Sequence, residues 1–367
     1  MSGLVYGFIG LGLIGGSIAK AIKQEIMDAH IVAYDVNEQT LFHAANDHII
    51  DEICLTINER LNQCDFIFLC APVSKNTENL LLLKKYLSKN CILTDVGSVK
   101  SHIHEQITAL GLDSQFIGGH PMAGSERFGY QNSKPELLKN AYYILTPTAQ
   151  VDTDKIENYS SLVKRLGAIP LVLPAKEHDY VTAAISHLPH VIASSLVNLV
   201  RDSDSPQETM KLIAAGGFKD ITRIASSSPS MWQQICLSNT DNISKLLTDY
   251  INSLNQIKSY LEEGKETELY NLFDHARIYR DSFADSSSGP IKISYMLQVD
   301  IADEPGALAT IASILALSHI SIKNIGIVHN REVEEGTLLI EFYEESALSK
   351  AKKLLNIRGY HIYTKKS

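Results

Sequence analysis

Near the N-terminus, Gly10-Leu11-Gly12-Leu13-Ile14-Gly15 follows an apolar run, Leu4–Ile9, and opens an amphipathic stretch, Leu13–Ile26. A bare G-x-G-x-x-G is a weak signal. Between a strand and a helix it becomes a strong one. The first glycine permits the tight turn, the second admits a pyrophosphate to the backbone, and the third lets helix and strand pack closely. The phosphates then rest on the free N–H groups of the helix N-terminus. Asp35 stands 20 residues beyond Gly15, at the end of the next strand candidate, where a carboxylate accepts hydrogen bonds from ribose hydroxyls. It would repel a 2′-phosphate, and Val36, Asn37 and Glu38 follow rather than an arginine, so NAD is expected over NADP. The expected cofactor contacts are Gly10, Leu11, Gly12, Leu13, Ile14, Gly15 and Asp35, with Pro72, Val73 and Ser98 at later strand ends.

The alternation continues. Ile31–Tyr34, Phe66–Cys70, Ile92–Thr94 and Phe116–Ile117 read as short buried strands, with Glu38–Asn46, Lys75–Ser88 and Val99–Leu110 as helices between them. Ala141–Thr146, Thr153–Leu166 and Ile169–Leu173 add a strand, a helix and a strand. The fold class is therefore α/β, with a Rossmann-type doubly wound parallel sheet over residues 1–173. From 174 to 284 the periodicity is helical only, and Pro189 is expected to kink or break the apolar stretch Tyr180–Val200. Asp285–Pro290 reads as a linker. Residues 291–367 read β-α-β-β-α-β, the ferredoxin-like order, with helices at Ala307–Leu317 and Ala347–Leu355.

The net charge of −9, with no run of Lys and Arg, argues against nucleic acid as a partner. Five scattered cysteines form no C-x-x-C pair and read as free thiols in a reducing compartment. No signal peptide is indicated at the N-terminus, and the apolar runs read as too short to span a membrane, so a cytoplasmic protein is expected. His187 and His190 stand three residues apart, but no Asp, Glu or Cys cluster joins them, so no metal is expected.

Three successive strand ends carry chemistry: Cys70–Ser74, Asp95–Lys100 and the glycine-rich Gly118–Glu126 with His120. In open α/β sheets ligands bind at that edge. Alone, the His120 segment reads most simply as a structural loop, and Ser98 equally as a helix N-cap or a ligand-facing hydroxyl. In the helical segment, Asp220 and Arg223 can pair at i, i+3, while an arginine behind Gly216-Gly217 also suits a carboxylate.

Gly10–Gly15, Asp95–Lys100, His120–Glu126, Ser186–His190 and Gly216–Ala225, followed by Trp232, together resemble the prephenate/arogenate dehydrogenase family of tyrosine biosynthesis. The segment from Ile291, with Asp303–Leu308 at its first turn, resembles an ACT regulatory domain. The resemblance implies NAD-dependent oxidative decarboxylation of prephenate. It implies His120 as the acceptor for the ring hydroxyl, aided by Ser98, and Arg223 as the carboxylate grip, held by Asp220. His190, His187, Glu126, Lys219 and Trp232 are then the remaining substrate contacts. It also implies a homodimer built on the helical segment. Tyrosine would be the effector, near Asp303, Gly306, Ala307 and Asn324. Arogenate as substrate, and a non-catalytic regulator that binds NAD and an amino acid, are the alternatives. A β-hydroxyacid-type dehydrogenase would want a lysine on Tyr180–Val200, which has none.

Overall fold

The computed structural model describes residues 3–124, 127–283, 295–301, 304–328 and 336–363. The chain divides into two compact units, Met1–Glu263 and Gly264–Ser367.

The first unit begins β1 (Val5–Ile9), α1 (Leu13–Glu25), β2 (His30–Tyr34), α2 (Glu38–Asn46), β3 (Glu52–Cys54), β4 (Phe66–Leu69), α3 (Val73–Leu83), β5 (Ile92–Asp95) and α4 (Ser101–Leu110). The five strands are parallel in the order β3-β2-β1-β4-β5. Strand order reverses at β1, so a crevice opens beyond the carboxyl ends of β1 and β4. Both faces of the sheet are covered. Tyr6, Phe8, Phe68, Ile18 and Ile22 pack on one side, and Ile9, Ile67, Leu69, Leu93 and Ile103 on the other. That is why these strands read as continuous apolar runs. β3 escapes a sequence reading because three residues at a sheet edge carry no pattern.

Beyond β5 the sheet changes character. β6 (Ile117–Pro121) joins it through a single parallel bridge, Leu93 to Phe116, and then pairs antiparallel with β7 (Tyr142–Pro147). After α5 (Thr153–Arg165), β8 (Ile169–Val172) returns parallel to β7. The expected parallel sheet is thus parallel only through β5. His120 lies within β6, opposite Ile144, and not on a loop. The neighbouring glycines serve protein packing: a Cβ on Gly118 would lie 2.3 Å from Thr146 Oγ1, and one on Gly119 2.6 Å from the Asp95 carbonyl oxygen.

The helices follow: α6 (Ala175–Thr182), α7 (Leu188–Ser203), α8 (Thr209–Ile213), α9 (Gly216–Thr222), α10 (Pro229–Ser238) and α11 (Thr240–Glu262). Pro189 does not break the chain's helical path. A five-residue π-helical turn, Ala183–His187, joins α6 to α7, and Pro189 falls in the first turn of α7. The wider turn accommodates the ring and the missing N–H that would disrupt a regular helix. The continuous helix Ala175–Ser203 has 29 residues and is long and apolar enough to cross a membrane by length and composition alone, longer than the sequence reading allowed. His178, Asp179 and His187 on it are buried within this unit.

The second unit holds α12 (Glu266–Ser282) and then β9 (Tyr295–Ile301), α13 (Ala307–Leu317), β10 (Ile322–Val328), β11 (Gly336–Phe342), α14 (Glu345–Ile357) and β12 (Ile362–Tyr363). Its sheet is antiparallel, in the order β10-β11-β9-β12, and the βαββαβ order is the one expected. Leu297, Val299, Leu338 and Ile340 alternate inward onto Ile311, Leu315, Ala351 and Leu355 of the two helices. The linker Asp285–Pro290 lies outside the described residues.

Candidate active site

The glycine loop has the geometry a dinucleotide needs. Gly10 sits at φ +100°, donates its N–H to the Tyr34 carbonyl at 2.7 Å, and would carry a Cβ only 2.8 Å from Ala71 N. A Cβ on Gly15 would lie 2.6 Å from the Gly10 carbonyl oxygen, whereas one on Gly12 would meet nothing within 4 Å. The outer two glycines are therefore required by the fold, and the middle one faces open space. Leu13 and Ile14 begin α1, so their N–H groups belong to the unpaired first turn. The Leu11 N–H is already taken: it donates to Asp35 Oδ2 at 2.7 Å, and the Asn37 N–H donates to Oδ1 at 2.8 Å. These two bonds aim the Asp35 carboxylate and leave lone pairs on both oxygens. Pro72 precedes α3 and Val73 opens it.

At the end of β5, Asp95 and Lys100 form an ion pair with the two side chains 1% and 0% exposed. Lys100 Nζ also donates to the Gly119 carbonyl at 2.7 Å, while the N–H groups of Gly97 and Gly119 donate to Asp95 at 2.9 and 3.2 Å. Burial lowers the Lys100 pKa and its partner Asp95 opposes that shift. The pair fastens β6, and with it His120, to β5. Ser98 is half-buried and is not the cap of α4, which starts at Ser101. Asp179, reaching in from α6, caps that helix instead, accepting from Lys100 N–H and Ser101 N–H at 2.7 Å each.

Asp179 also begins a chain of three groups. Its Oδ1 is 2.8 Å from His178 Nδ1, and His178 Nε2 is 2.8 Å from His120 Nδ1. Burial alone would raise the Asp179 pKa, but hydrogen bonds from His178 and the two N–H groups hold it below the usual carboxylate value. The carboxylate must accept, so His178 donates from Nδ1. For two neutral rings one arrangement satisfies both bonds of the chain: His178 Nε2 accepts from His120 Nδ1–H, and His120 Nε2 is left with a lone pair. Burial pushes the His120 pKa well below its ordinary value, and His178, Lys100 and His187 push the same way, with Asp179 opposing. The ring is neutral at pH 7 and presents a hydrogen-bond acceptor. His178 and Asp179 carried no sequence signal; their link to His120 crosses 58 residues and two elements.

His187 and His190 flank Trp232 of α10. His190 stacks on the indole with ring centroids 3.7 Å apart, and its Nδ1 is 2.9 Å from the Ser186 carbonyl. Among the described residues no group of three or more metal-ligating side chains occurs. Arg223 follows α9 on a short turn that packs against α7, and its charge lowers the His190 pKa, after the larger effect of burial. Arg223, Asp220 and Lys219 are exposed, and no ion pair joins Asp220 to Arg223 among the described residues. Glu126 lies outside the described residues.

Comparison with known proteins gives this arrangement its family. The family model "Prephenate dehydrogenase, nucleotide-binding domain" matches residues 18–171, and "Prephenate dehydrogenase, dimerization domain" matches residues 174–275. The chain is 36% identical over 355 residues to prephenate dehydrogenase of Bacillus subtilis (strain 168), covering 95% of each chain. It is 34% identical over 351 residues to that of Lactococcus lactis subsp. cremoris (strain MG1363), covering 95% of this chain and 96% of the relative. The crystal structure of prephenate dehydrogenase from A. aeolicus, in complex with hydroxyphenyl propionate and NAD+, superposes with a TM-score of 0.72 at 32% identity. It covers 77% of this chain and 99% of that one. At this identity and coverage, the chain belongs to the prephenate dehydrogenase family.

Proposed function

We propose that the protein converts prephenate to 4-hydroxyphenylpyruvate and CO2, with His120 as the acceptor for the ring hydroxyl. The observation that carries this reading is the Asp179–His178–His120 chain, which leaves His120 Nε2 as a lone pair. Gly10–Gly15, Asp35, Pro72 and Val73 would hold NAD, which when bound accepts the hydride. C4 of the ring loses hydrogen with its electron pair, and the bond to the ring carboxylate breaks as CO2 leaves. Those electrons complete the aromatic ring. His120 Nε2 takes the hydroxyl's hydrogen bond as the oxygen becomes positive, and the proton stays with the phenol product. Ser98 orients that hydroxyl, Arg223 grips a carboxylate, and His190, Trp232 and Lys219 line the remaining wall. Glu126 is assigned to the same wall on the family resemblance. The test is NADH formation from prephenate and NAD+, with arogenate and NADP+ run beside them. Turnover of arogenate alone, or of neither, overturns the reading.

Two variants separate nucleotide binding from folding. Gly12→Ala should raise the NAD+ KM at least about tenfold while leaving the Tm unchanged, since its Cβ meets no protein atom within 4 Å. Gly15→Ala should instead lower the Tm, because its Cβ would press on the Gly10 carbonyl at 2.6 Å. Equal Tm values for both would contradict the assignment. Arg223→Ala should raise the prephenate KM by the equivalent of about 2 kcal/mol, the low end for a charge pair because Arg223 is exposed in the single chain. An unchanged KM removes Arg223 from the substrate site.

The division at 1–173, 174–284 and 291–367 into nucleotide-binding, substrate and dimerisation, and regulatory parts follows the same reading. Leu199, Leu212, Ile213 and Leu237 of the helical part are exposed and apolar, which supports a homodimer there rather than a membrane partner. Sedimentation as a monomer would refute it. β10 is an edge strand, which supports pairing of small sheets between copies. Tyrosine is the effector proposed near Gly306, which opens α13 at φ +96°, Ala307 and exposed Asn324. Asp303 lies outside the described residues. Calorimetric titration with tyrosine that shows no binding, together with an unchanged rate, would remove this assignment.

A further inference from the structure

His187, His190 and Trp232 form one ring cluster, with His187 meeting the indole edge-on at 5.9 Å between centroids. Two nitrogens in it, His187 Nε2 and Trp232 Nε1, are buried with no hydrogen-bond partner among the described residues. The indole nitrogen is always a donor. The role of His187 Nε2 depends on where the ring carries its proton, and a residue 52 positions away decides that.

Asn239, just ahead of α11, is 4% exposed. Its Oδ1 accepts from Asn242 Nδ2 at 2.8 Å, which turns the amide nitrogen the other way. That nitrogen donates to the Asp179 carbonyl at 2.8 Å and stands 3.2 Å from His187 Nδ1. An amide nitrogen has no lone pair to offer, so His187 Nδ1 must accept and the ring's proton sits on Nε2. His187 is itself 1% exposed. Burial lowers its pKa to about 4, with Asp179 opposing and His178 and His190 assisting, and among the described residues His120 also faces it. Asn239 therefore leaves a buried N–H of fixed direction inside the cluster. A buried donor without an acceptor costs about 1–3 kcal/mol, which an oxygen of a bound molecule would relieve.

We infer that Asn239 is a positioning residue, holding His187 as an Nε2–H donor to a carboxylate or carbonyl oxygen of the substrate. This rests on the prephenate reading for the identity of the substrate, though not for the state of the ring.

The test is Asn239→Asp in the full-length protein, assayed with prephenate and NAD+ from about pH 5.5 to about 8.5. A carboxylate there draws the proton to Nδ1 and leaves Nε2 a lone pair. The prephenate KM should rise about 10–100-fold at pH 8. It should recover as pH falls, because the carboxylate raises the His187 pKa and the imidazolium regains its Nε2–H. Wild type should lack that acid-side recovery. His187→Gln, which retains an N–H at a similar reach, should stay within about tenfold of wild type, and His187→Leu should not. A wild-type KM for Asn239→Asp at pH 8 overturns the inference. So does a KM raised equally at every pH with a parallel rise for NAD+, which marks a packing role. Should the variant fail to fold, nitrogen NMR of histidine-labelled wild type decides: a proton on Nε2 of His187 supports the inference, and one on Nδ1 overturns it. Failure of wild type to form NADH would instead sink the prephenate reading, leaving the NMR result standing.

Discussion

His120→Asn is expected to lower kcat for prephenate by about 10²–10⁴-fold, the usual range for a positioned acid–base group. Asparagine is the informative replacement. Its amide can occupy the place of Nδ1 and keep the contact to His178, but it has no atom where Nε2 stands. The relay and β6 are preserved while the acceptor is lost. The NAD+ KM should therefore stay within about twofold of wild type, and the prephenate KM should change far less than kcat. The pH profile supplies a second check. His120 acts as the neutral ring, and burial with His178, Lys100 and His187 pushes its pKa well below the ordinary 6.5. The limb of the kcat profile that belongs to His120 should thus lie on the acid side, with no fall assignable to it between about pH 6.5 and 8. Near-wild-type turnover by the variant would remove His120 from the chemistry.

Four histidines with lowered pKa values, among them His104 of α4, set the direction of acid unfolding. His104, His120, His187 and His190 all have lowered folded pKa values, chiefly through burial. Below about pH 6.5 the unfolded chain binds protons that the folded chain refuses. Their contribution to stability is present above that pH and declines as pH falls toward the folded values, about 4 for His187.

Asp95→Ala is the variant expected to cost most stability, about 3–5 kcal/mol. It would strand the Lys100 ammonium, which is 0% exposed, with the Gly119 carbonyl as its remaining partner, and would orphan the N–H groups of Gly97 and Gly119. The loss comes from the uncompensated buried charge more than from the bond itself. Replacing both partners with apolar residues, as in Asp95→Leu with Lys100→Met, should therefore recover much of it. Urea midpoints for the single and double variants measure the difference. A single variant as stable as wild type would mean that Lys100 is neutral in the folded protein and that the pair is only a hydrogen bond.

Much of this protein was legible before its tertiary structure. Gly10–Gly15 and Asp35 lie within a single β1–α1–β2 unit at the start of the chain, so their spacing alone specifies a nucleotide loop. The βαββαβ order of the small unit was equally plain, because the alternation along β9 and the helical stripe of α14 are local periodicities. Pro189 misled because a proline signals a break only if the helix stays regular, and the π-helical turn before it absorbs the conflict. His120 was singled out, but on a loop, since a Gly-Gly pair in a strand reads as a turn until its close neighbours are known.

What tertiary structure alone decided is the protonation of the site. Asp179, His178 and His120 come from α6 and β6, Asn239 meets His187 from the start of α11, and Lys100 turns inward to Asp95 and Gly119. The His178–His120 and Asn239–His187 contacts are side-chain hydrogen bonds that span 58 and 52 residues, and such bonds leave no periodicity or spacing to read. The amino-acid sequence by itself determined which elements form and which residues stand at the strand ends. Which ring nitrogen donates and which accepts follows only from three-dimensional contact, because a tautomer is a property of a ring's neighbours.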